Sequence, residues 1–380
     1  MEDKRARTWA EIDLDAIEHN VKAIRAALPE GTRFLGVVKA DSYGHGSVRV
    51  AQRLESCGAD YLAVACLDEA LTLRHAGVTL PILILGATDA KFAPVMAVES
   101  ITPEVECEEK GLALSAALRE GQTLRVHIKL DTGMGRIGFP ADDPAALEAA
   151  ARVVQLPNLV AEGCFTHFAV SDVPGGQEYT RAQYARFSHG ADEIERLSGK
   201  KFAIRHCANS GATLSYREYA EDMVRPGLLT YGYYPDKVTG GIELHPAMTL
   251  RSRVAAVTHH KKGDAISYGG TWVAERDCTL AVLPIGYADG LHRCLSGKLE
   301  VLLHGQRVRQ VGRICMDVCM LDVTDLENVQ VGDVATVFGS DGENVLPIEE
   351  VAEKAGTISY EICCAVSPRV PRVYEASSEN

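Results

Sequence analysis

Several absences narrow this 380-residue chain before any motif is read. No run of 18 or more apolar residues occurs, so no helix is expected to span a membrane. Positive charge is in deficit: 39 Lys and Arg stand against 52 Asp and Glu, a net charge of −13, which argues against a nucleic-acid backbone or an anionic membrane surface as partner. The opening stretch MEDKRARTWAEIDLD lacks the apolar core of a secretion signal. No CxxC pair occurs among the eleven cysteines; Cys363 and Cys364 are adjacent, Cys315 and Cys319 lie four apart, and the rest are scattered. The expectation is reduced, mostly buried thiols in a cytoplasmic protein. Internal repeats and low-complexity tracts are missing too, and only ASSEN, residues 376–380, has the look of a frayed end.

What is there has a clear order. The length exceeds the usual size of one hydrophobic core, so two domains are expected. Between about residue 33 and 232, short apolar runs alternate with amphipathic stretches. The runs are RFLGVVK (33–39), YLAVAC (61–66), PILILG (81–86), ITPEVE (101–106), LRVHIKLD (124–131), LVAEGCFTHF (159–168), FAIRHC (202–207) and MVRPGLLTYG (223–232). Helical patterns such as LDEALTLRHAG and YTRAQYARFSHGADEIERLSG separate them, which predicts an α/β fold, a (β/α)8 TIM-like barrel, over residues 11–238. Pro103 makes the fourth strand the weakest. From residue 239 the texture turns β-branched, in MTLRSRVAAVTHH, CTLAVLPIGYA, KLEVLLHG and DVATVFGSD, with one late helix, PIEEVAEKAG. A second, mostly-β domain of antiparallel strands is expected there, with residues 1–10 joining it.

Barrel enzymes carry their chemistry at the C-terminal ends of the strands. Those ends hold Lys39 with Tyr43, Lys129 with Asp131, His167, the run His206-Cys207-Ala208-Asn209-Ser210-Gly211, and Arg225-Pro226-Gly227. Each has a plain alternative: a solvated strand end for Lys39, a surface pair for Lys129 and Asp131, ordinary turn chemistry for NSG and RPG. Together they place a lysine, an anion site after strands seven and eight, and a further cation at one end. A lysine opposite a phosphate site points to pyridoxal 5'-phosphate held through Lys39.

The chain resembles the alanine racemases, fold-type III enzymes that use pyridoxal phosphate. The resemblance rests on TWAEIDLDAIEHN (8–20), VVKADSYGHG (37–46), IKLDTGMGRIG (128–138), THF (166–168), HCANSG (206–211), VRPGLLTYG (224–232), ISYGGTW (266–272), LPIGYADG (283–290), GRICMD (312–317) and TISYE (357–361), which run through both expected domains in order.

The resemblance implies interconversion of L- and D-alanine, feeding peptidoglycan, by two bases on opposite faces of the substrate. They are Lys39, which also holds the cofactor aldehyde, and Tyr268 from the partner subunit of a homodimer. A free tyrosine titrates near 10, so a basic neighbourhood is expected around the second base. Arg225 is similar to the family's partner of the pyridine nitrogen, with His206 holding it. An arginine only donates, which leaves that nitrogen unprotonated and favours racemisation over transamination. Tyr43, His167, Asn209, Ser210, Gly227, Leu228 and Tyr360 match further cofactor contacts. Arg136 and the backbone of Met316 match substrate contacts, and Asp317 and Tyr287 supporting positions. Lys129 occupies a position that relatives fill with a carbamylated lysine, whose negative charge steadies the arginine. A serine-preferring or broad-specificity racemase shares every cofactor contact. A decarboxylase of the same layout lacks the ISYGGTW and GRICMD pattern, and a non-catalytic cofactor-binding barrel lacks the second domain.

Overall fold

The computed structural model describes residues 5, 7–235, 238 and 240–375; the expected frayed end and residue 239, where the second domain was expected to begin, lie outside them. The chain divides into two compact units. One comprises Ile17–Ser42 and Ser47–His245, the other the N-terminal residues to Ala16, Tyr43–Gly46 and Pro246 onward.

Eight parallel strands and their helices build the first unit as a nearly closed barrel. Strand β1 (Thr8–Asp13) belongs to the second unit, so the barrel runs from β2 (Arg33–Val37) through β3 (Tyr61–Val64), β4 (Ile82–Ile84), β5 (Ile101–Val105), β6 (Leu124–Asp131), β7 (Leu159–Phe165) and β8 (Ile204–His206) to β9 (Met223–Val224). From β2 to β8 each pairs in parallel with the next, and β9 returns to β2 through Met223↔Arg33 and Val224↔Phe34. The β8–β9 seam is stitched by Asp222 N to Arg205 O (3.1 Å) and Arg225 N to Ala208 O (2.9 Å) instead of a ladder. Pro103 does not break the fourth barrel strand; it sits in register opposite Ile84. The run 223–232 is corrected at its far end, because only Met223–Val224 is extended. Pro226 and Gly227 turn the chain, and Leu228–Tyr231 form a buried 3-10 turn whose apolar residues imitate a strand.

The helices follow local rules. After an opening helix at Leu14–Ala26 they include α1 (Ser47–Ser56), α2 (Leu67–His75), α3 (Ala93–Val98), α4 (Glu108–Ala117), α5 (Pro144–Gln155), α6 (Gln177–Ser198) and α7 (Ser210–Ser215). Helix α5 starts on Asp143, whose side chain accepts from Ala145 N at 2.9 Å, with Pro144 at the first position. Helix α6 stops at Gly199, in the left-handed region at φ 70°. Phe34, Leu35, Leu62 and Ile84 are fully buried, yet the interior is not simply apolar: Glu104, His127, Lys129, His206 and Arg225 are buried with them.

In the second unit the sheet order is β11 (Ala256–His260), β12 (Cys278–Leu283), β15 (Cys319–Asp322), β14 (Gln306–Val311), β13 (Glu300–Leu303), β16 (Val334–Asp341), β10 (Met248–Arg253), β1 and β17 (Arg372–Glu375). The pairs are antiparallel except β1–β17, which is parallel and departs from the all-antiparallel expectation. Helix α8 (Ile348–Ala355) is the expected late helix; α9 (Ser359–Ala365), inside the TISYE stretch, was not expected. Tyr43–Gly46 is gripped within this unit: Arg372 Nε donates to Gly44 O at 2.8 Å, and a Cβ on Gly44 would fall 2.3 Å from Cys363 O.

All eleven cysteines are free thiols. Five are buried, while Cys66, Cys294 and Cys364 are exposed, which corrects the expectation that most would be hidden. Among the described residues no helix is long and apolar enough to cross a membrane, and no His/Cys/Asp/Glu cluster could hold a metal ion.

Candidate active site

Lys39 stands one residue beyond Val38, at the C-terminal end of β2, and the backbone after it is strained. Ala40, Asp41, Ser42 and Tyr43 all lie in the left-handed region, with φ of 53°, 53°, 55° and 52°. For L-residues that conformation costs roughly 1–2 kcal/mol each, so something must hold it. The holder is Glu69, in the first turn of α2. Its Oε1 accepts from Ala40 N and its Oε2 from Ala65 N, both at 2.7 Å, which ties the turn behind Lys39 to the end of β3. Asp41 closes the turn by accepting from Ser47 N at 2.7 Å. Nothing in the sequence flagged Glu69, which reads as an ordinary acidic residue at a helix start.

Arg225 is held from several sides inside the barrel. It is 4% exposed. Its Nη2 donates to Thr166 O (2.8 Å) and Cys207 O (3.2 Å), and its Nη1 to His206 Nδ1 (2.9 Å). Because a guanidinium only donates, His206 Nδ1 is the acceptor and its proton sits on Nε2. That Nε2 donates to His127 Nδ1 at 2.9 Å, which leaves the His127 proton on Nε2, 3.9 Å from Glu162 Oε2. Tyr61 donates to the same Glu162 oxygen at 2.5 Å. Burial pushes both imidazoles below their usual range, as neutral tautomers require. Phe165 stacks on His206 with rings 4.8 Å apart and 3° from parallel. Gly163 makes the row possible, since a Cβ there would fall 2.6 Å from the His127 ring. His167 joins from the side, with Nδ1 3.4 Å from Arg225 Nη2; burial and the facing guanidinium hold it neutral. Sequence reading found His206 and Arg225 and missed His127 and Glu162, inward residues on neighbouring strands.

The loops after β8 and β9 supply helix starts. Asn209 caps α7, accepting from Ala212 N at 3.0 Å and from Ser171 Oγ at 2.7 Å. Its side chain thus serves the loop, while the leading N–H groups of α7, at Ser210 and Gly211, cannot bond within the helix. Gly227 and Leu228 open the 3-10 turn in the same way.

Lys129 is not a surface residue paired with Asp131. It is 4% exposed, its Nζ lies 4.8 Å over the Phe165 ring, and burial together with Arg225 pushes it down to about 7. Asp131 is occupied elsewhere: it accepts from Gly133 N (2.9 Å), Gly135 N (3.1 Å) and Arg136 N (3.1 Å), folding the loop that presents the exposed Arg136.

The second unit gathers the remaining candidates. Tyr268 opens a 3-10 turn between the short strands Ala265–Ile266 and Trp272–Val273 and is 70% exposed. Ser267, before it, is left-handed at φ 67° and is pinned by its hydroxyl to Arg313 O at 2.8 Å. Gly312 lets it approach, because a Cβ there would meet Ser267 Cβ at 2.8 Å. Tyr268, Met316 and Asp317 line one open groove of about 910 Å3, with His260, Cys315 and Met320. Met316 O and Cys315 O hold the Tyr287 loop by accepting from Ala288 N and Tyr287 N, each at 3.0 Å. Asp317 accepts from Arg369 at 2.9 Å. Tyr360, on α9, has its ring 5.8 Å from that of the buried Tyr43.

Known proteins resemble the chain along almost its whole length. Residues 12–235 match the alanine racemase N-terminal domain and residues 247–374 the alanine racemase C-terminal domain. The chain is 47% identical to an alanine racemase of Desulfovibrio desulfuricans, over 96% of this chain and 97% of the relative, and 42% identical to alanine racemase 1 of Clostridium acetobutylicum, over 98% and 96%. Among solved structures, an alanine racemase of Clostridium difficile superposes with a TM-score of 0.93 at 38% identity, covering 98% of this chain and 97% of the other. One from Bacillus anthracis, with bound L-Ala-P, gives 0.92 at 37%, covering 98% and 96%. Near-complete coverage by relatives of one kind, over both units, leads to one statement: the chain belongs to the alanine racemase family.

Proposed function

We propose that the protein interconverts L-alanine and D-alanine with pyridoxal 5'-phosphate and so supplies D-alanine for peptidoglycan. The observation that carries the reading is the fixed, donor-only Arg225. Its orientation is set by two carbonyls and a neutral histidine, and its charge points to an acceptor nitrogen, not a protonated one. The donor set fits the cofactor. An amine at position 39 would hold its aldehyde, and Ser210, Gly227 and Leu228 offer backbone N–H groups for a phosphate, with Tyr43 and Tyr360 adding hydroxyls. Bound there, the cofactor supplies the electron withdrawal that makes an amino acid's Cα–H acidic.

Lys39 Nζ then holds or releases the proton on one face and the Tyr268 hydroxyl on the other. Tyr268 acts from a partner subunit in a homodimer, a reading supported by its 70% exposure together with that of Met316 at 52%. Arg136 binds the substrate carboxylate, aided by the Met316 backbone, and a carbamate on Lys129 steadies it. The depressed Lys129 supports this, because only the neutral amine reacts with carbon dioxide. Tyr287 and Tyr360 narrow the entrance to a methyl side chain.

The test is production of D-amino acids from a panel of L-amino acids, with and without added cofactor. Cofactor-dependent D-alanine formation with the highest kcat/KM in the panel is expected; a preference for L-serine, or no turnover at all, sinks the proposal.

A further inference from the structure

Glu104 is a buried barrel carboxyl that the proposed mechanism leaves without work. It lies on β5, in register with His127 of β6, so its side chain shares the face of His127 and, two residues on, Lys129. It is 1% exposed, and neither of its oxygens has a hydrogen-bond partner among the described residues. Lys129 is buried too, forms no ion pair among the described residues, and feels the charge of Glu104. A buried carboxyl whose two oxygens lack partners costs more than one that is paired or bridged.

We propose that Glu104 is the proton-bearing partner of a carbamate on Lys129, so that the two residues together form the carbon dioxide site. The inference rests on the carbamate reading above and adds the residue that makes it stable inside the barrel. Starting from the neutral amine and the carboxylic acid that burial favours, the Lys129 nitrogen lone pair bonds to the carbon of CO2. One C=O electron pair moves on to oxygen, and one N–H proton leaves to water. The products are a carbamate anion beside a neutral carboxylic acid plus one proton, with atoms and charge conserved. The acid donates its hydrogen bond to a carbamate oxygen. Burial and the neighbouring Glu106 both favour the protonated form of Glu104, which is pushed up to about 8.

The experiment uses the cofactor-loaded protein equilibrated with 13C-bicarbonate. A carbamate carbon resonance is expected in the wild type and absent in Lys129→Ala. Glu104→Gln, which still donates, is expected to keep its occupancy within about threefold, whereas Glu104→Met, of similar size with no donor, loses about tenfold, the order expected for one lost hydrogen bond. Infrared difference spectra on adding CO2 need only two proteins: a protonated-carboxyl band, moved to lower frequency as the acid donates to the carbamate, is present in the wild type and missing in Glu104→Gln. A wild-type carbamate that Glu104→Met leaves undiminished, or a wild type without the carboxyl band, overturns the role of Glu104 and spares the carbamate. No carbamate in the wild type at saturating CO2 overturns both, and neither result touches the racemase assignment, which the amino acid panel reads separately.

Discussion

Arg225 is 4% exposed and Tyr268 70%, and each stands for the candidate residues of its own unit. The barrel half is finished in itself. Its charges are desolvated, its imidazoles have one tautomer each, and the turn behind Lys39 is clamped. The half on the β unit is equally well built in its backbone, with Ser267 pinned and the Tyr287 loop held, but its working side chains face open space. Electrostatic groups gain strength where water is excluded, so the barrel can set charge in advance, whereas an exposed phenol acts only once another surface covers it.

The sharpest way to break that contrast is to remove one base from each half. Lys39→Ala is expected to lower turnover by about 10^4-fold or more and to abolish the visible absorbance of bound cofactor. Tyr268→Phe should keep the absorbance and lose roughly 10^2–10^4-fold of racemisation in both directions, while proton exchange at Cα with solvent is lost mainly in the half-reaction that begins from one enantiomer. Exchange at Cα that is equal from L- and D-alanine and no slower than in the wild type contradicts the two-face assignment. Mixing the two variants is expected to restore one intact site per heterodimer; absence of any regained activity counts against a site shared between subunits.

A smaller effect is expected from Glu69→Gln. The amide replaces one carboxylate oxygen with a donor that faces a backbone N–H, so one clamp bond is lost at a cost of about 1–3 kcal/mol. Turnover should drop about tenfold while KM for alanine stays within twofold, and amide hydrogen exchange across residues 39–43 should accelerate in the cofactor-free protein. Unaltered exchange there means the left-handed turn holds without Glu69.

Much of the fold was legible because its signals are local. Apolar runs alternating with helical patterns name the barrel, and turn residues punctuate the β unit. The site residues legible from sequence sit in motifs at strand ends. What escaped depends on partners far along the chain. Glu69 reaches 29 residues back to Ala40, His127 reaches 79 residues on to His206, and neither spacing has a period to betray it. The left-handed run 40–43 contains only one residue type that tolerates that region, Asp41, so composition argued against it. Helix α9 is only seven residues long and begins within a stretch read for its tyrosine.

The mildest test compares how the two halves respond to pH. Glu104 is pushed up to about 8 by burial and Glu106, from an ordinary 4.5. Between those values the folded protein holds a proton that the unfolded chain has released, so unfolding free energy falls as pH rises through the window. Lys129 works in the opposite sense, but only above its own value of about 7, where the unfolded chain keeps a proton the folded one has lost. Between pH 5 and 7 the buried His127, His167 and His206, held neutral, also act in the opposite sense, so it is the difference from Glu104→Gln that isolates Glu104. In CO2-free buffer, where Lys129 remains an amine, the wild-type Tm should decline across that interval by about 2–4 °C more than that of Glu104→Gln, which cannot ionise. Parallel Tm profiles for the two proteins would place the titrating carboxyl elsewhere and remove the buried acid from the barrel's side of the comparison.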